Sequence, residues 1–178
     1  MLKLAAIVVL TLFIAAATER APARAAGDTV VVAINDKDGS FLYRVKLDIR
    51  RAAGGTVDET NAAVAVASCD SCETVAVAIQ VLLVFGRPTV SAPQNLALAM
   101  NVDCSYCQTL ATAYQLYEQT GGPAHFTAAG NRQIAQIRRE LESMRHAGLT
   151  IAEIQAEVDQ LASELLTVMQ TELVSAGR

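Results

Sequence analysis

An α+β fold is what this sequence predicts, and three observations predict it. A Cys-x-x-Cys unit occurs twice, an N-terminal segment alternates apolar with charged residues, and aliphatic residues recur at heptad spacing after Asn131. The expected order is an N-terminal β-hairpin, two strand–Cys-x-x-Cys–helix repeats, and a C-terminal antiparallel helical hairpin. The expected boundaries are a signal peptide over residues 1–26, a duplicated domain over 27–126, and the helical hairpin over 127–178.

At the N-terminus, Lys3 precedes an uncharged run over residues 4–17, apolar but for Thr11, too short to span a bilayer comfortably. Ala23-Arg24-Ala25 then supplies the small-x-small pattern of a signal-peptidase site. These features predict a secreted or cell-envelope protein that meets the membrane only through its signal peptide. Removal of that segment takes Lys plus Arg from 14 to 11 and Asp plus Glu from 18 to 17. The remaining chain is acidic and has no basic cluster, which argues against a nucleic-acid partner.

Residues 29–35 are valine-rich, and residues 41–51 alternate Phe41, Tyr43, Val45, Leu47 and Ile49 with mostly charged neighbours. Asn35, Asp36, Asp38 and Gly39 between them are turn residues, so a half-buried hairpin is expected.

The copied unit comes next. With an offset of 35, residues 69–88 align without a gap to 104–123, and 8 of the 20 positions are identical, among them both cysteines, Gln80/Gln115 and Gly86/Gly121. Upstream, Asn61 and Asn95 open similar Ala/Val/Leu stretches. Ser68 and Asp103 stand before each first cysteine, as helix-capping residues do. Strand, cap, Cys-x-x-Cys and helix are therefore expected in each copy. Val75, Val77, Ile79 and Val81 alternate as in a strand, but the helix formers of the second copy favour helix for both.

Four cysteines, Cys69, Cys72, Cys104 and Cys107, admit three arrangements. Bridges within each motif suit residues spaced i, i+3, and an exported location favours disulfides. A pairing across the repeats would close a loop of about 36 residues, worth about 4 kcal/mol on a chain-entropy argument against about 2 kcal/mol for a four-residue loop. Zinc held by all four thiolates is the third arrangement. A strand–Cys-x-x-Cys–helix order also resembles the thioredoxin arrangement, with Cys69 and Cys104 as nucleophiles, although no Trp precedes either motif.

Elsewhere the chemistry is sparse. His125 and His146 are the only histidines, too few for the usual hydrolytic zinc set, and no His-Glu-x-x-His, Gly-x-Ser-x-Gly or phosphate-binding glycine motif occurs. His146 is expected at a helix end, four residues after Glu142. Tyr106, Tyr114 and Tyr117 form an expected packing group, and Asp36, Asp38, Asp58 and Glu59 lack full calcium-loop spacing. Gln80 and Gln115 either bond each other across a pseudo-twofold axis or lie exposed on helices.

The run Asp58-Glu59-Thr60-Asn61-Ala62-Ala63-Val64-Ala65, then Ser68, Cys69 and Cys72, then Cys104, Cys107, Gln108-Thr109-Leu110-Ala111 and Tyr114-Gln115 resembles a loosely defined, mostly uncharacterised group of exported bacterial proteins. Some of that group carry an automatic label of peptide zinc metalloprotease. The resemblance covers about residues 36–119. It implies secretion and paired cysteines.

In the last segment, Ile134, Ile137, Leu141 and Met144 form one seam, and Ile151, Ile154, Val158, Leu161, Leu165 and Val168 another. Gly148 ends the first helix, and Thr150 with Glu153 caps the second. The seams are expected to pack on the domain or to serve association with another protein or another copy. Functionally, the sequence leans away from an enzyme and toward an exported, disulfide-stabilised structural or protein-interaction role without a cofactor. Thiol–disulfide exchange is the alternative, and a zinc-binding or peptidase-associated protein the second alternative.

Overall fold

The structure is a computed structural model that describes residues 27–175; the expected signal peptide lies outside them. Parallel strands dominate. The elements are β1 (Thr29–Asn35), β2 (Phe41–Ala53), β3 (Thr56–Val57), β4 (Thr60–Ala67), β5 (Glu73–Phe85), β6 (Val90–Ser91), β7 (Gln94–Asn101), β8 (Gln108–Thr120), β9 (Ala124–Phe126), helix α1 (Ala128–Ser143), helix α2 (Ile151–Glu172) and β10 (Leu173–Ser175).

Three sheets repeat along the chain: β1-β4-β7, β2-β5-β8 and the short β3-β6, all with parallel pairing. The chain therefore winds as a short β-solenoid of three coils, each contributing one strand to the first two sheets. The α+β expectation fails here on both counts. No hairpin forms, because β1 and β2 pair in parallel with β4 and β5 instead of with each other. No helix follows either cysteine motif; each leads into a 13-residue strand. Ser68 and Asp103 accordingly cap nothing and belong to turns.

Side-chain size explains why β5 is a strand. It is central in its sheet and buried on both faces, which removes the polar face that normally marks a strand. Val75, Val77, Ile79, Val81 and Leu83 point to one side, into a core shared with the helices. Ala76 and Ala78 point to the other, against Val31, Ala33, Ala63 and Ala65 of the facing sheet. The alternation is large against small, not apolar against polar.

That alanine layer lets the sheets approach closely enough for a side-chain amide to span them. Asn61, fully buried, donates through Nδ2 to the carbonyls of Ala78 and Tyr114 at 3.1 and 3.0 Å and to Oδ1 of Asn95 at 2.8 Å. Asn95 in turn donates to the Ala113 carbonyl at 2.9 Å. Gln115 Nε2 donates to Gln80 Oε1 at 2.7 Å, and the two glutamines also bond the carbonyls of Glu59 and Gly27, where each coil enters its next strand. Gln80 and Gln115 are thus related by a step along the solenoid, not by a twofold, and Gln80 is fully buried.

Two helices cover the outer face of the β2-β5-β8 sheet, α1 beside β2 and α2 beside β8 and β5. Thr127 caps α1 through the Gly130 amide, and Gly148 sits at φ +66° after a short 3-10 turn. Thr150 and Glu153 form a full capping box on α2. In place of a separate unit over 127–178, Ile134, Ile137, Leu141, Met144, Ile154, Val158, Leu161, Leu165 and Val168 close onto Tyr43, Leu47 and the large side chains of β5. Both seams are consumed within the chain. Among the described residues no helix is long and apolar enough to cross a membrane.

Tyr43 pins α1 to the sheet: its hydroxyl donates to the Leu141 carbonyl at 2.9 Å. Burial pushes this hydroxyl well above the ordinary tyrosine range, with the nearby Glu142 adding to the rise and Arg145 opposing it. Tyr114, bonded to Asp159 of α2, is pushed up to about 12 by burial, by that hydrogen bond and by the carboxylate's charge.

Two outcomes follow. Asn61→Ala, which removes a buried amide whose two Nδ2 protons are shared among Ala78, Tyr114 and Asn95, costs about 2–3 kcal/mol in urea unfolding, whereas Asn95→Ala, at an exposed position, costs less than about 1 kcal/mol. Tyrosines of the unfolded chain ionise near pH 10 while Tyr43 and Tyr114 hold their protons in the fold, so stability is complete below about pH 10 and declines above it. Tyr43→Phe lowers stability at neutral pH by about 1 kcal/mol and flattens the alkaline decline, which pH-resolved thermal melts measure.

Candidate functional site

The cysteine motifs occupy equivalent turns, between β4 and β5 in the second coil and between β7 and β8 in the third. Turns one coil apart bond backbone to backbone: Gly39 N to Asp70 O at 2.9 Å, and Ser71 N to Ser105 O at 2.7 Å. Asp38 Oδ1 accepts from the Asp70 amide and Asp70 Oδ1 from the Ser105 amide. Gly39, Ser71 and Tyr106, at matching places, have φ of 63°, 53° and 57°. Only the first coil uses glycine there, so the upper two turns hold a conformation that L residues resist.

Within each motif the two sulfurs stand at disulfide-bonding separation, with Cα atoms 6.0 Å apart in both. The pairs stack. Cys107 Sγ lies 3.5 Å from Cys72 Sγ and 2.7 Å from the Cys69 carbonyl oxygen, and the four residues pack with Ala67 into a cluster of their own. Cys69 and Cys72 are 4% and 0% exposed, while Cys104 and Cys107 are half-buried. As bridges, the pairs staple successive turns of the same corner.

Opened by reduction, the same corner offers different chemistry. The sulfurs of Cys69, Cys72 and Cys107 all lie within 4.8 Å of one another. Tetrahedral zinc with Zn–S of about 2.3 Å needs sulfurs about 3.8 Å apart; Cys104, paired with Cys107, is not one of these three. The donors also suit thiolate chemistry, but the burial of the first pair bars a substrate disulfide from reaching it.

Other residues singled out in the sequence do not join this corner. Tyr106 is 91% exposed at the turn, Tyr114 faces α2, and Tyr117 meets Ser91 at the opposite corner, so the tyrosines form no group. His125 is exposed on β9 and His146 at the end of the 3-10 turn, where Arg145 and not His146 pairs with Glu142. Asp38 serves the turn ladder, while Glu59 lends its carbonyl to Gln115.

Sequence reasoning missed two further surfaces. The outer face of the β1-β4-β7 sheet carries Val30, Val32 and Ile34 beside Ala62, Val64 and Val66 beside Leu96, Leu98 and Met100. Val30, Val32, Ile34 and Leu96 are exposed. The alternation of β1 is thus apolar on both faces, and only one of them faces the alanine interior. The second surface is the end of the solenoid at β7 and β8, each paired on one side alone among the described residues.

No family model matches the chain, and neither does any curated protein or solved structure.

The difference in burial sets an order of reduction. Under graded reductant at native conditions, Cys104–Cys107 opens first and Cys69–Cys72 resists until the chain unfolds; alkylation and peptide mass mapping resolve the two. Simultaneous opening would contradict the stacked arrangement.

Proposed function

We propose that the chain is an exported, noncatalytic protein whose role is structural or the binding of another protein, with Cys69–Cys72 and Cys104–Cys107 as permanent braces. The stacking of the two cysteine pairs in one corner, with the first covered by the second, is the observation that carries this proposal. Each four-residue bridge contributes about 2 kcal/mol by restricting the unfolded chain. The bridges act where the solenoid most needs support, because the turns they span hold left-handed residues at Ser71 and Tyr106.

Export, expected from the pattern of residues 1–26, would suit such braces, since disulfides persist outside the reducing cytosol. The helical seams are buried against the sheet, so association is assigned to the β-solenoid surfaces and not to α1 and α2.

Thiol–disulfide exchange is tested directly. Purified protein is expected to leave a disulfide substrate unreduced and unoxidised, and protein fully reduced while unfolded and then refolded is expected to regain the parallel sheets with a lower melting temperature. Turnover that disappears in Cys104→Ser or Cys69→Ser would overturn the noncatalytic assignment. Metal analysis of the same sample, before and after reduction, checks for zinc at the four cysteines; stoichiometric zinc in native material would replace the disulfide account.

A further inference from the structure

The two ends of the solenoid are built differently. At the N-terminal end, the inward positions of β1, Thr29, Val31, Ala33 and Asn35, are all buried. Their partners across from β2 include Arg44, Lys46, Asp48 and Arg50, which sit in register with Ala76, Ala78, Gln80 and Leu82 and so point inward. Long basic side chains cover apolar residues with their stems while the charges stay in water. Lys46 and Arg50 bond Asp48 at 2.7 and 3.0 Å. Burial alone would raise the Asp48 carboxyl, but Lys46, the Thr29 hydroxyl and Arg50 outweigh it and hold the group below the usual carboxylate range. Inward charges of this kind stop another strand from adding to an edge.

Among the described residues the C-terminal end has no such cover. Asn95, Ala97, Ala99 and Asn101 are the register partners of Asn61, Ala63, Ala65 and Ala67, which are fully buried, yet all four are exposed. On β8 the inward positions Thr109, Ala111, Ala113 and Gln115 are uncharged and half-buried. An alanine core is therefore open to solvent along two unpaired strand edges, whereas stacked-repeat proteins require a polar terminal cap.

We infer that this open end is closed by the same end of a second copy, β7 against β7 and β8 against β8 across a twofold axis. The inference adds a partner to the noncatalytic role proposed above and rests on it only for function. Closure needs two strand edges at the spacing of these two sheets, which an identical end supplies. Head-to-tail stacking is ruled out by the four inward charges of β2, which would be buried among alanines. Twofold symmetry makes both new pairings antiparallel and extends the two sheets from three strands to six. From Gln94 through the turn to Thr120 the end comprises 27 residues, within the roughly 20–30 per side of a stable interface.

Light scattering and sedimentation of the purified protein at micromolar concentration test this. Two chains per particle are expected. Ala111→Arg with Ala113→Lys transplants the residues of the N-terminal end onto its register equivalents, and is expected to halve the mass while keeping a cooperative melt. Val32→Lys, on the outer face of β1, is expected to leave the mass doubled. Amide hydrogen exchange gives a readout that does not depend on the double variant folding: the edge amides of β7 and β8 are protected in the wild-type protein. A single-chain mass, a ladder of longer oligomers, a double variant that folds but keeps its partner, or unprotected edge amides would each overturn the pairing. Disulfide turnover would overturn the noncatalytic role and leave the pairing standing.

Discussion

Between the two main sheets lies an interior only one alanine deep on each side, and the rest of the molecule follows from that thinness. Ala63 and Ala65 against Ala76 and Ala78 leave little apolar volume to bury, so hydrogen bonding must specify how the coils sit on one another. Asn61 does so from within, reaching the backbone of the opposite sheet in two coils at once. Gln80 and Gln115 do the same at the corner where one coil passes into the next. Buried amide N–H groups are costly unless bonded, and those of Asn61, Gln80 and Gln115 are bonded only when the coils are in register.

A thin interior also cannot supply enough hydrophobic stabilisation, and the chain obtains it outside. The large side chains of β5 turn away from the alanines and meet α1 and α2, where most of the aliphatic volume gathers around Tyr43, Ile79, Leu141 and Leu165. The helices are thus the second layer of the fold and not an appendage. This arrangement also explains why their seams, which look suited to self-association, are unavailable for it, and why the exposed apolar and open-edged surfaces lie on the other sheet and at the C-terminal end.

The disulfide corner follows from the same geometry. Turns stacked coil upon coil share a left-handed position that is glycine only in the first, and the third turn, one residue longer, adds a second such residue at Asp103. The first turn relies on Asn35, Ser40 and Asp38 side chains for its bonds, while the next two carry cysteine pairs in the equivalent space. The cysteine pairs therefore stand beside the aspartate bonds of the ladder, which Asp38 and Asp70 both make, where the sequence departs from glycine.

The copied unit was legible in the residues alone, because Cys69/Cys104 and Gln80/Gln115 keep an offset of 35 and Asn61/Asn95 one of 34, and those are the residues that stack in register. The helix limits near Gly148 and Thr150 were legible too, being set by local caps. The first coil was not: its Asp38 and Gly54 match Asp70 and Gly86, but Arg44, Lys46 and Asp48 replace the alanines and glutamine that mark the others. Charges suit a strand that ends a stack, and in isolation they read as the polar face of a hairpin. Nor could local propensity decide the segment after each Cys-x-x-Cys. Alanine alternating with valine is compatible with helix or strand, and the choice falls to strand only when a second sheet lies on the alanine side and two helices on the valine side. Local sequence determined where the repeats, caps and sulfur pairs stand; burial on both faces, which exists only once the coils have stacked, decided what those repeats become.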